Sequence, residues 1–237
     1  MSKMYRKYQY LLLDVDDTLM DFKKIEAEAL KKLFAFHGHP LTPELLQVYH
    51  TINKGLWADY ENGKVPMGDM LEKRFGLTMG EFGIQIDSAL WEKTYQQMLG
   101  EGGHTIDDAI DVCTRLRGVY RLFVVTNGVR ETQRRRLEAA GLYHLFEAVF
   151  DSQSIGYQKP AKEFFDHVAA NIDGFNKRNA LIIGDSLNTD MRGGIAAGID
   201  TCWFNRTPEK GATDLPVTYT ITQLTQLYDL LEVTDEG

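Results

Sequence analysis

Four short polar segments of this chain carry side chains that together could bind a metal ion and a phosphate group. Most adjoin apolar stretches, as in LLLDVDD and FVVTNG. The side chains are carboxylates, a hydroxyl, an amide and an amine, contributed by Asp14, Asp16, Thr126, Asn127, Lys159, Asp185 and Asp190. Carboxylates beside buried strands are costly to desolvate, so these residues are the first candidates for a functional site.

Three of the carboxylates favour a magnesium site. If the strands before them are parallel, Asp14, Asp16 and Asp185 converge at one edge of the sheet, where like charges repel unless a cation intervenes. An oxygen-only site with few protein ligands suits Mg²⁺, which keeps several waters and shares substrate phosphate oxygens. The alternative is that the three aspartates are turn or helix N-cap residues, roles in which aspartate is common.

A carboxylate at this edge could also attack phosphorus and form an aspartyl-phosphate. The metal and Lys159 would shield the charge of the attacking Asp14 from the incoming phosphate. The hydroxyl and backbone N–H groups at Thr126 and Asn127 could bind the phosphoryl oxygens. Asp16 could give a proton to the leaving oxygen and then activate water for hydrolysis of the intermediate.

The elements that must position these residues are alternating strands and helices. Strands are predicted near 9–13, within RLFVVTNG, near 147–150, within ALIIGD and DTCWF, and near 217–220. Helices are predicted near 106–117, 130–140, 161–171, 188–197 and from 222. This alternation indicates an α/β fold with a doubly wound parallel sheet.

A helical segment interrupts the α/β pattern after the first strand. It contains FKKIEAEALKKLFAFHG, a helix capped by Thr42, and helical patterns near 66–76 and 80–99, and it ends in the cluster GEGG. We predict an α/β catalytic core of residues 1–19 and 104–237 and a helical cap of residues 20–103. Because ligands of open α/β sheets bind beyond the carboxyl ends of the strands, we expect the cap to act as a lid.

The motifs DVDDT, VVTNG, KP and GDSLNTD, in this order, resemble the four motifs of the haloacid dehalogenase-like (HAD) superfamily. The resemblance covers the whole chain, including a helical cap after the first motif. It implies that Asp14 is the nucleophile and Asp16 the general acid/base. It also implies Mg²⁺ held by the Asp14 carboxylate, the Asp16 backbone carbonyl and Asp185.

The same resemblance assigns the remaining polar residues. Thr126 and Lys159 match the phosphate-binding positions of the family. Asp190 matches the second acid of the last motif, which orients the lysine or a metal-bound water. The dehalogenase branch lacks an acid at the position of Asp16, so the resemblance favours the phosphohydrolases.

The sequence around the motifs, LDVDDTLMDF with TNG and GDSL, resembles that of the pyrimidine 5′-nucleotidases. These enzymes cleave nucleoside monophosphates, including non-canonical ones. We therefore predict a Mg²⁺-dependent phosphatase that acts on a small phosphate monoester, above all a pyrimidine nucleoside 5′-monophosphate. The alternatives are another HAD phosphatase, for a sugar phosphate or phosphoglycolate, or a phosphomutase. Outside the enzyme class, the alternative is a catalytically silent protein that binds a phosphorylated ligand.

Composition and charge limit the classes of molecule that this protein is expected to bind. The 237 residues carry a net charge of −8, which argues against non-specific binding to nucleic-acid polymers or anionic membranes. The apolar run after the basic segment MSKMYRKYQY is broken at Asp14 and is too short for a signal peptide or a membrane span. A cytoplasmic enzyme with a small-molecule substrate is expected, and no feature indicates an oligomeric state.

Several other features receive structural interpretations. The run RRR at 134–136 predicts a solvated helix face, with a partner contact as the alternative. The glycines of MRGGIAAG predict close approach of a helix to the sheet. Cys113 and Cys202 are expected to be buried apolar residues. Among the aromatic residues of the insertion, Phe22, Trp57, Tyr60 and Trp91, most are expected in the cap core, with Phe22 the first candidate for stacking on a base.

Overall fold

The computed structural model describes residues 7–207 and 213–233 of the chain. The first six residues of the basic N-terminal segment therefore lie outside the described residues. The chain divides into two compact units, one formed by residues up to 22 together with those from 103, and one by residues 23–102. None of the described helices combines the length and apolar character needed to cross a bilayer.

The first unit is built on a six-stranded, all-parallel sheet with the strand order β3-β2-β1-β4-β5-β6. The strands are β1 (Tyr10–Leu13), β2 (Arg121–Thr126), β3 (Ala148–Asp151), β4 (Ala180–Gly184), β5 (Asp200–Phe204) and β6 (Tyr219–Ile221). The order runs outward from β1 in both directions, which confirms the doubly wound α/β fold.

The central strand β1 is buried along its whole length, as its uninterrupted apolar sequence requires in a sheet covered on both faces. Leu13 pairs with Val124 of β2 on one side and with Ile183 of β4 on the other. This register places the carboxyl ends of β1, β2 and β4 at one edge, because parallel strands in register end together. The polar segments that follow these strands therefore lie close together.

Helices in the segments between the strands, and one helix after β6, flank this sheet. They are α5 (Ala109–Arg117), α6 (Arg130–Ala139), α7 (Ser152–Ile155), α8 (Lys162–Ala170), α9 (Arg192–Ala197) and α10 (Gln226–Leu230). The single helix predicted near 188–197 is wrong in its first turn, where Leu187–Met191 form a π-helical turn instead. α9 packs so closely that a Cβ atom on Gly194 would lie 2.6 Å from Ile182 Cγ2, which confirms the role predicted for its glycines.

The second unit consists of helices. Its members are α2 (Pro43–Glu61), α3 (Met67–Gly80) and α4 (Ser88–Leu99), together with α1 (Phe22–Phe36), whose first residue belongs to the first unit. The Thr42 cap is confirmed, because its side chain accepts a hydrogen bond from Leu45 N at 3.2 Å. The helix predicted from residue 80 begins only at Ser88, because Asp87 caps it by accepting from Leu90 N.

A buried ion pair holds the interior of the helical unit. Arg74 donates to both carboxylate oxygens of Glu92, each at 2.7 Å, and its remaining terminal nitrogen contacts Asn53 Oδ1 at 3.3 Å. The guanidinium also lies 4.5 Å from the ring centre of Tyr95. A buried charge that loses its partner strongly destabilises the folded protein.

Replacing Glu92 with alanine should therefore lower the free energy of unfolding by about 3–5 kcal/mol, because Arg74 would be left buried without a carboxylate. The matched control is Glu101→Ala, which removes the partner of Lys32 from an ion pair at 3.4 Å with both side chains more than half exposed. That control should cost about 1 kcal/mol or less. Urea denaturation of both variants measures the difference, and equal losses would contradict this account of Arg74.

Candidate active site

The strand ends bring two of the predicted carboxylates to one place. The backbone N–H of Asp14 continues the sheet by donating to Ile183 O at 2.9 Å. Asp185 follows β4, where its N–H donates to the buried Thr18 hydroxyl at 3.0 Å. The indole of Trp203 donates to the Asp185 carbonyl at 3.0 Å. These bonds fix the loops after β1 and β4, so both carboxylates are anchored through their backbones.

Lys159 lies at the centre of the site and is almost fully buried. Its ammonium group donates to Asp14 Oδ1 at 2.7 Å, to Asp190 Oδ1 at 2.6 Å and to Val125 O at 2.8 Å. Burial lowers the pKa of Lys159, but the charges of Asp14 and Asp190 outweigh it and raise the pKa above its ordinary value. The ammonium is thus held charged, with its three N–H donors directed at three acceptors.

Carboxylate oxygens of Asp14, Asp185 and Asp190 lie within 4.8 Å of one another. Burial raises the pKa of Asp185 to about 8, with further contributions from the negative charges of Asp14 and Asp190. Burial likewise raises the pKa of Asp14, while Lys159 opposes that shift. Acids crowded in this way disfavour their own ionisation, which is the electrostatic condition that a bound cation relieves.

The donor chemistry of this cluster fits magnesium, which prefers carboxylate oxygens. Asp190 is the member with the most protein partners: Lys159 contacts one of its oxygens, and Ser186 N donates to the other at 3.2 Å. A Cβ atom on Gly184 would lie 2.2 Å from Asp190 Oδ2, so only glycine leaves room for this carboxylate. Asp190 is therefore placed as the partner of the lysine, while Asp14 and Asp185 are the better candidates for metal ligands.

The hydroxyl of Thr126 is prepared to donate a hydrogen bond. Its oxygen accepts one bond from Gly128 N at 3.0 Å and a second from Gln133 Nε2 at 2.9 Å. A hydroxyl oxygen has two acceptor sites, so both are used and its own proton remains for another acceptor. This is the arrangement that a phosphoryl oxygen would need.

The side chain of Asn127 makes two hydrogen bonds that were not predicted from the sequence. Its side-chain amide donates to Lys159 O at 2.9 Å and accepts from Lys159 N at 2.8 Å. Both polar groups of the side chain thus bind the backbone of the lysine loop, and the backbone N–H of Asn127, the group predicted to bind phosphate, takes no part in these two contacts. The side chain instead positions Lys159.

Asp16 is the most exposed of the predicted catalytic carboxylates, with about a third of its side chain accessible (34%). Arg136 Nη1 donates to its Oδ1 at 2.6 Å, and Gln133 Nε2 donates to its Oδ2 at 2.8 Å. The prediction that the arginines at 134–136 form a solvated face is therefore wrong for Arg136, which is 1% exposed. Arg134 does lie on the surface, paired with Glu131 and Glu138 of its own helix.

Several side chains that contact the predicted site residues were not themselves predicted. Thr18 supports Asp185, and Gln133 and Arg136 contact Asp16. A usable signal for the last two was the spacing of α6, where Gln133, Arg136 and Leu137 recur at the i, i+3, i+4 spacing of one buried face. Phe22, the predicted base contact, is half-buried with its ring centre 5.3 Å from the Arg136 guanidinium carbon.

Comparison with known proteins shows which family this chain resembles. The sequence profile of the haloacid dehalogenase-like hydrolases matches residues 8–198. YfnB of Bacillus subtilis is 42% identical over 228 residues, which cover 96% of this chain and 97% of YfnB. The crystal structure of YfnB bound to magnesium superposes with a TM-score of 0.90, over 96% of this chain and 100% of that one.

Two further relatives carry the name of an activity. The pyrimidine 5′-nucleotidase PynA of Streptococcus pneumoniae is 35% identical over 226 residues, covering 95% of each chain. The pyrimidine 5′-nucleotidase YjjG of Escherichia coli is 28% identical over 225 residues, covering 95% of this chain and 98% of YjjG. The similarity therefore extends over both units of the chain.

Proposed function

The chain belongs to the haloacid dehalogenase-like hydrolases, and from this membership we propose that it is a Mg²⁺-dependent phosphomonoester hydrolase acting through an aspartyl-phosphate. The observation that carries the proposal is the arrangement of Asp14, a buried carboxylate at the end of β1. Lys159 contacts Asp14 directly, and a second acid, Asp16, lies two residues further along the chain. A nucleophile, its charge partner and an acid/base are thus contributed by adjacent loops.

In the proposed reaction the carboxylate of Asp14 attacks phosphorus and the bond to the leaving oxygen breaks. The charge of Lys159 offsets the repulsion between Asp14 and the phosphate, and the free proton of the Thr126 hydroxyl binds a phosphoryl oxygen. Asp16 gives its proton to the leaving oxygen and then takes one from the water that hydrolyses the aspartyl-phosphate. Asp190 holds Lys159 in place at 2.6 Å throughout.

The same proposal assigns Mg²⁺ to the Asp14 carboxylate, the Asp16 backbone carbonyl and Asp185. When bound, the ion would neutralise charge on the phosphate and on the crowded acids. The acidic cluster and the magnesium in the YfnB structure support the assignment.

Asp185→Asn should raise the melting temperature of the metal-free protein, because it replaces an acid whose ionisation is disfavoured in the folded state by burial and by the neighbouring acids. It should also abolish the stabilisation by magnesium, which for the wild-type protein amounts to about 2.7 kcal/mol when free Mg²⁺ is 100 times its Kd. Thermal denaturation with and without Mg²⁺ measures both effects. Asp166→Asn, a surface aspartate paired with Lys162, is the control and should keep the full response to magnesium. A wild-type response in Asp185→Asn would remove this residue from the metal site.

For the substrate, we propose a nucleoside 5′-monophosphate, with a pyrimidine base preferred. The relatives PynA and YjjG support this choice by their named activity and by similarity along the whole chain. Phe22 is the proposed base contact, because its half-buried aromatic ring lies 5.3 Å from the guanidinium carbon of Arg136, which pairs with Asp16. We expect the enzyme to act in the cytoplasm, where such nucleotides are found.

Phosphate release from a panel of monoesters tests the proposed function. The panel contains UMP, dUMP, dTMP, purine monophosphates, phosphoglycolate, sugar phosphates and an aryl phosphate, each with Mg²⁺ and with a chelator. Metal-dependent turnover that is strongest on the pyrimidine monophosphates supports the whole proposal. Strongest turnover on a sugar phosphate or phosphoglycolate would discard the nucleotide substrate, and isomerised product without free phosphate would indicate a mutase. Binding without turnover on any monoester would indicate a catalytically silent binding protein.

A further inference from the structure

We propose that Arg136, together with Gln133, is a positioning residue for Asp16 and sets the direction from which this acid reaches the leaving oxygen. The inference rests on the proposed role of Asp16 and adds to it two residues of α6 that lie outside the four motifs. Neither residue is assigned contact with the substrate. Both act through the Asp16 carboxylate.

The two donors fix the carboxylate of Asp16 in space. Arg136 Nη1 contacts Oδ1 at 2.6 Å and Gln133 Nε2 contacts Oδ2 at 2.8 Å, so each oxygen has its own donor from the same helix. One contact would leave the carboxylate free to rotate about it. Two contacts on different oxygens define both the position and the plane of the group.

Gln133 is itself held in place and connects the acid to the predicted phosphate site. Its Oε1 accepts from Arg136 Nη1 at 2.8 Å, and its Nε2 also donates to Thr126 Oγ1 at 2.9 Å. A Cβ atom on Gly128 would lie 2.3 Å from Gln133 Nε2, so this glycine leaves the space that the amide occupies. One amide therefore contacts both Thr126 and Asp16 and keeps their separation constant.

Burial and charge distinguish this pair from an ordinary surface ion pair. Arg136 is 1% exposed, and Asp16 is the carboxylate with which the structure pairs it. Its Nε and Nη2 have no hydrogen-bond partner among residues 7–207 and 213–233, and its guanidinium carbon lies 5.3 Å from the centre of the Phe22 ring. Burial of this guanidinium costs a large desolvation free energy, and one of its nitrogens contacts Asp16. Such a cost favours a functional role for the contact.

A general acid contributes only when its proton lies within hydrogen-bond reach of the leaving oxygen. Misplacement of a reacting group by about 1 Å can cost about 100-fold in rate. Loss of Arg136 should therefore slow the step that needs the acid, and slow it most for leaving groups that need a proton. A nitrophenolate leaves without protonation, whereas a phenolate depends on it more strongly.

The test compares kcat/KM for phenyl phosphate and p-nitrophenyl phosphate in the Mg²⁺-loaded enzyme. This parameter reports the chemistry up to release of the first product, so later hydrolysis of the aspartyl-phosphate does not mask the acid. The variants are Arg136→Met, Arg136→Lys, Gln133→Met, Asp16→Asn and the double variant of Asp16→Asn with Arg136→Met. The matched control is Arg134→Met, the same replacement on the exposed face of α6.

We expect Arg136→Met to lower kcat/KM for phenyl phosphate about 10- to 100-fold and to affect p-nitrophenyl phosphate far less. Gln133→Met should show the same selectivity to a smaller degree, Arg136→Lys should recover part of the loss, and Arg134→Met should behave as wild type. Asp16→Asn should show the same dependence on the leaving group, and adding Arg136→Met to it should cause no further loss.

Equal losses on both substrates, higher activity in Arg136→Met, or a further loss in the double variant would overturn the positioning role. If Arg136→Met fails to fold, Arg136→Lys and Gln133→Met decide the question by the same selectivity. Full activity of Asp16→Asn on both substrates would instead refute the acid role that the proposed function gives to Asp16, and absence of phosphate release by the wild-type enzyme would refute the proposed function itself. The two failures are therefore distinguishable.

Discussion

Replacement of Asp14 by asparagine is expected to reduce phosphate release at least about 1,000-fold, because the proposed nucleophile of a covalent mechanism has no substitute in the candidate site. An amide has nearly the size of the carboxylate but is a poor nucleophile toward phosphorus. Lys159 keeps its contacts with Asp190 at 2.6 Å and with Val125 O at 2.8 Å, so the loop that carries it should stay in place.

Steady-state phosphate release, read together with the thermal denaturation of the same sample, measures this effect. The control is Asp111→Asn on α5, an exposed aspartate paired with Arg115, which should retain wild-type activity. Acid-quenched enzyme incubated with a ³²P-labelled substrate should contain protein-bound phosphate in the wild type and none in Asp14→Asn. Wild-type turnover by a folded Asp14→Asn protein would rule out the aspartyl-phosphate.

Lys159→Met should be the most damaging single change for the fold and the reaction together. It leaves Asp14 and Asp190 buried without the cation that contacts both, which we expect to lower the free energy of unfolding by about 3–5 kcal/mol. It also removes the positive charge that would stabilise phosphate charge in the proposed reaction, which should lower kcat about 100- to 1,000-fold in the fraction that folds.

Urea denaturation and phosphate release at a temperature well below the melting point separate the two effects of Lys159→Met. The comparison variant is Lys162→Met, which removes an exposed lysine from its contact with Asp166 on the same helix. That variant should leave the denaturation midpoint and the activity close to those of the wild type. If Lys159→Met were as stable as Lys162→Met, the buried carboxylates would not depend on this ammonium group.

Stability and function make opposite demands on the acidic cluster. Asp185 is held with its pKa raised to about 8 by burial and by neighbouring acids, so the fold disfavours its ionisation and the metal-free protein loses stability. Such a group is expected at a functional site, where fold stability is given up for chemistry. The buried Arg74–Glu92 pair of the helical unit differs, because there each charge has a partner of opposite sign in direct contact.

The alternation of strands and helices could be predicted from the sequence because it depends on local patterns. An apolar run such as Tyr10–Leu13 can be buried on both faces only in a covered parallel sheet, and parallel strands end at a common edge. Placement of the polar residues after β1, β2 and β4 at one edge follows from those two facts, whereas their closeness along that edge also requires β1 to lie between β2 and β4, as the structure has it. The sequence also predicted that Lys159 would lie near Asp14, although it could not predict the distance between the two groups.

Helix boundaries were less predictable, because caps compete with continuous periodicity. The apolar pattern from residue 80 resembles one helix, but the Asp87 side chain binds Leu90 N and starts α4 at Ser88. The π-helical turn Leu187–Met191 was likewise invisible to a 3.6-residue period. It leaves Asp190 buried beside Lys159, a position that depends on contacts with β4 and the lysine loop rather than on the local sequence.

The sequence by itself determined the fold class and the edge of the sheet at which the candidate site forms, because both depend on local patterns in the chain, and it identified the residues of the four motifs by their resemblance to a known family. Only the tertiary structure decided that Arg136 turns inward while Arg134 faces solvent, and that the Asn127 side chain binds the lysine loop. The physical reason is that identical residue types, such as the three arginines, differ only in what the fold packs against them. Burial and partners more than 100 positions away, as between Asp16 and Arg136, are properties of the folded chain.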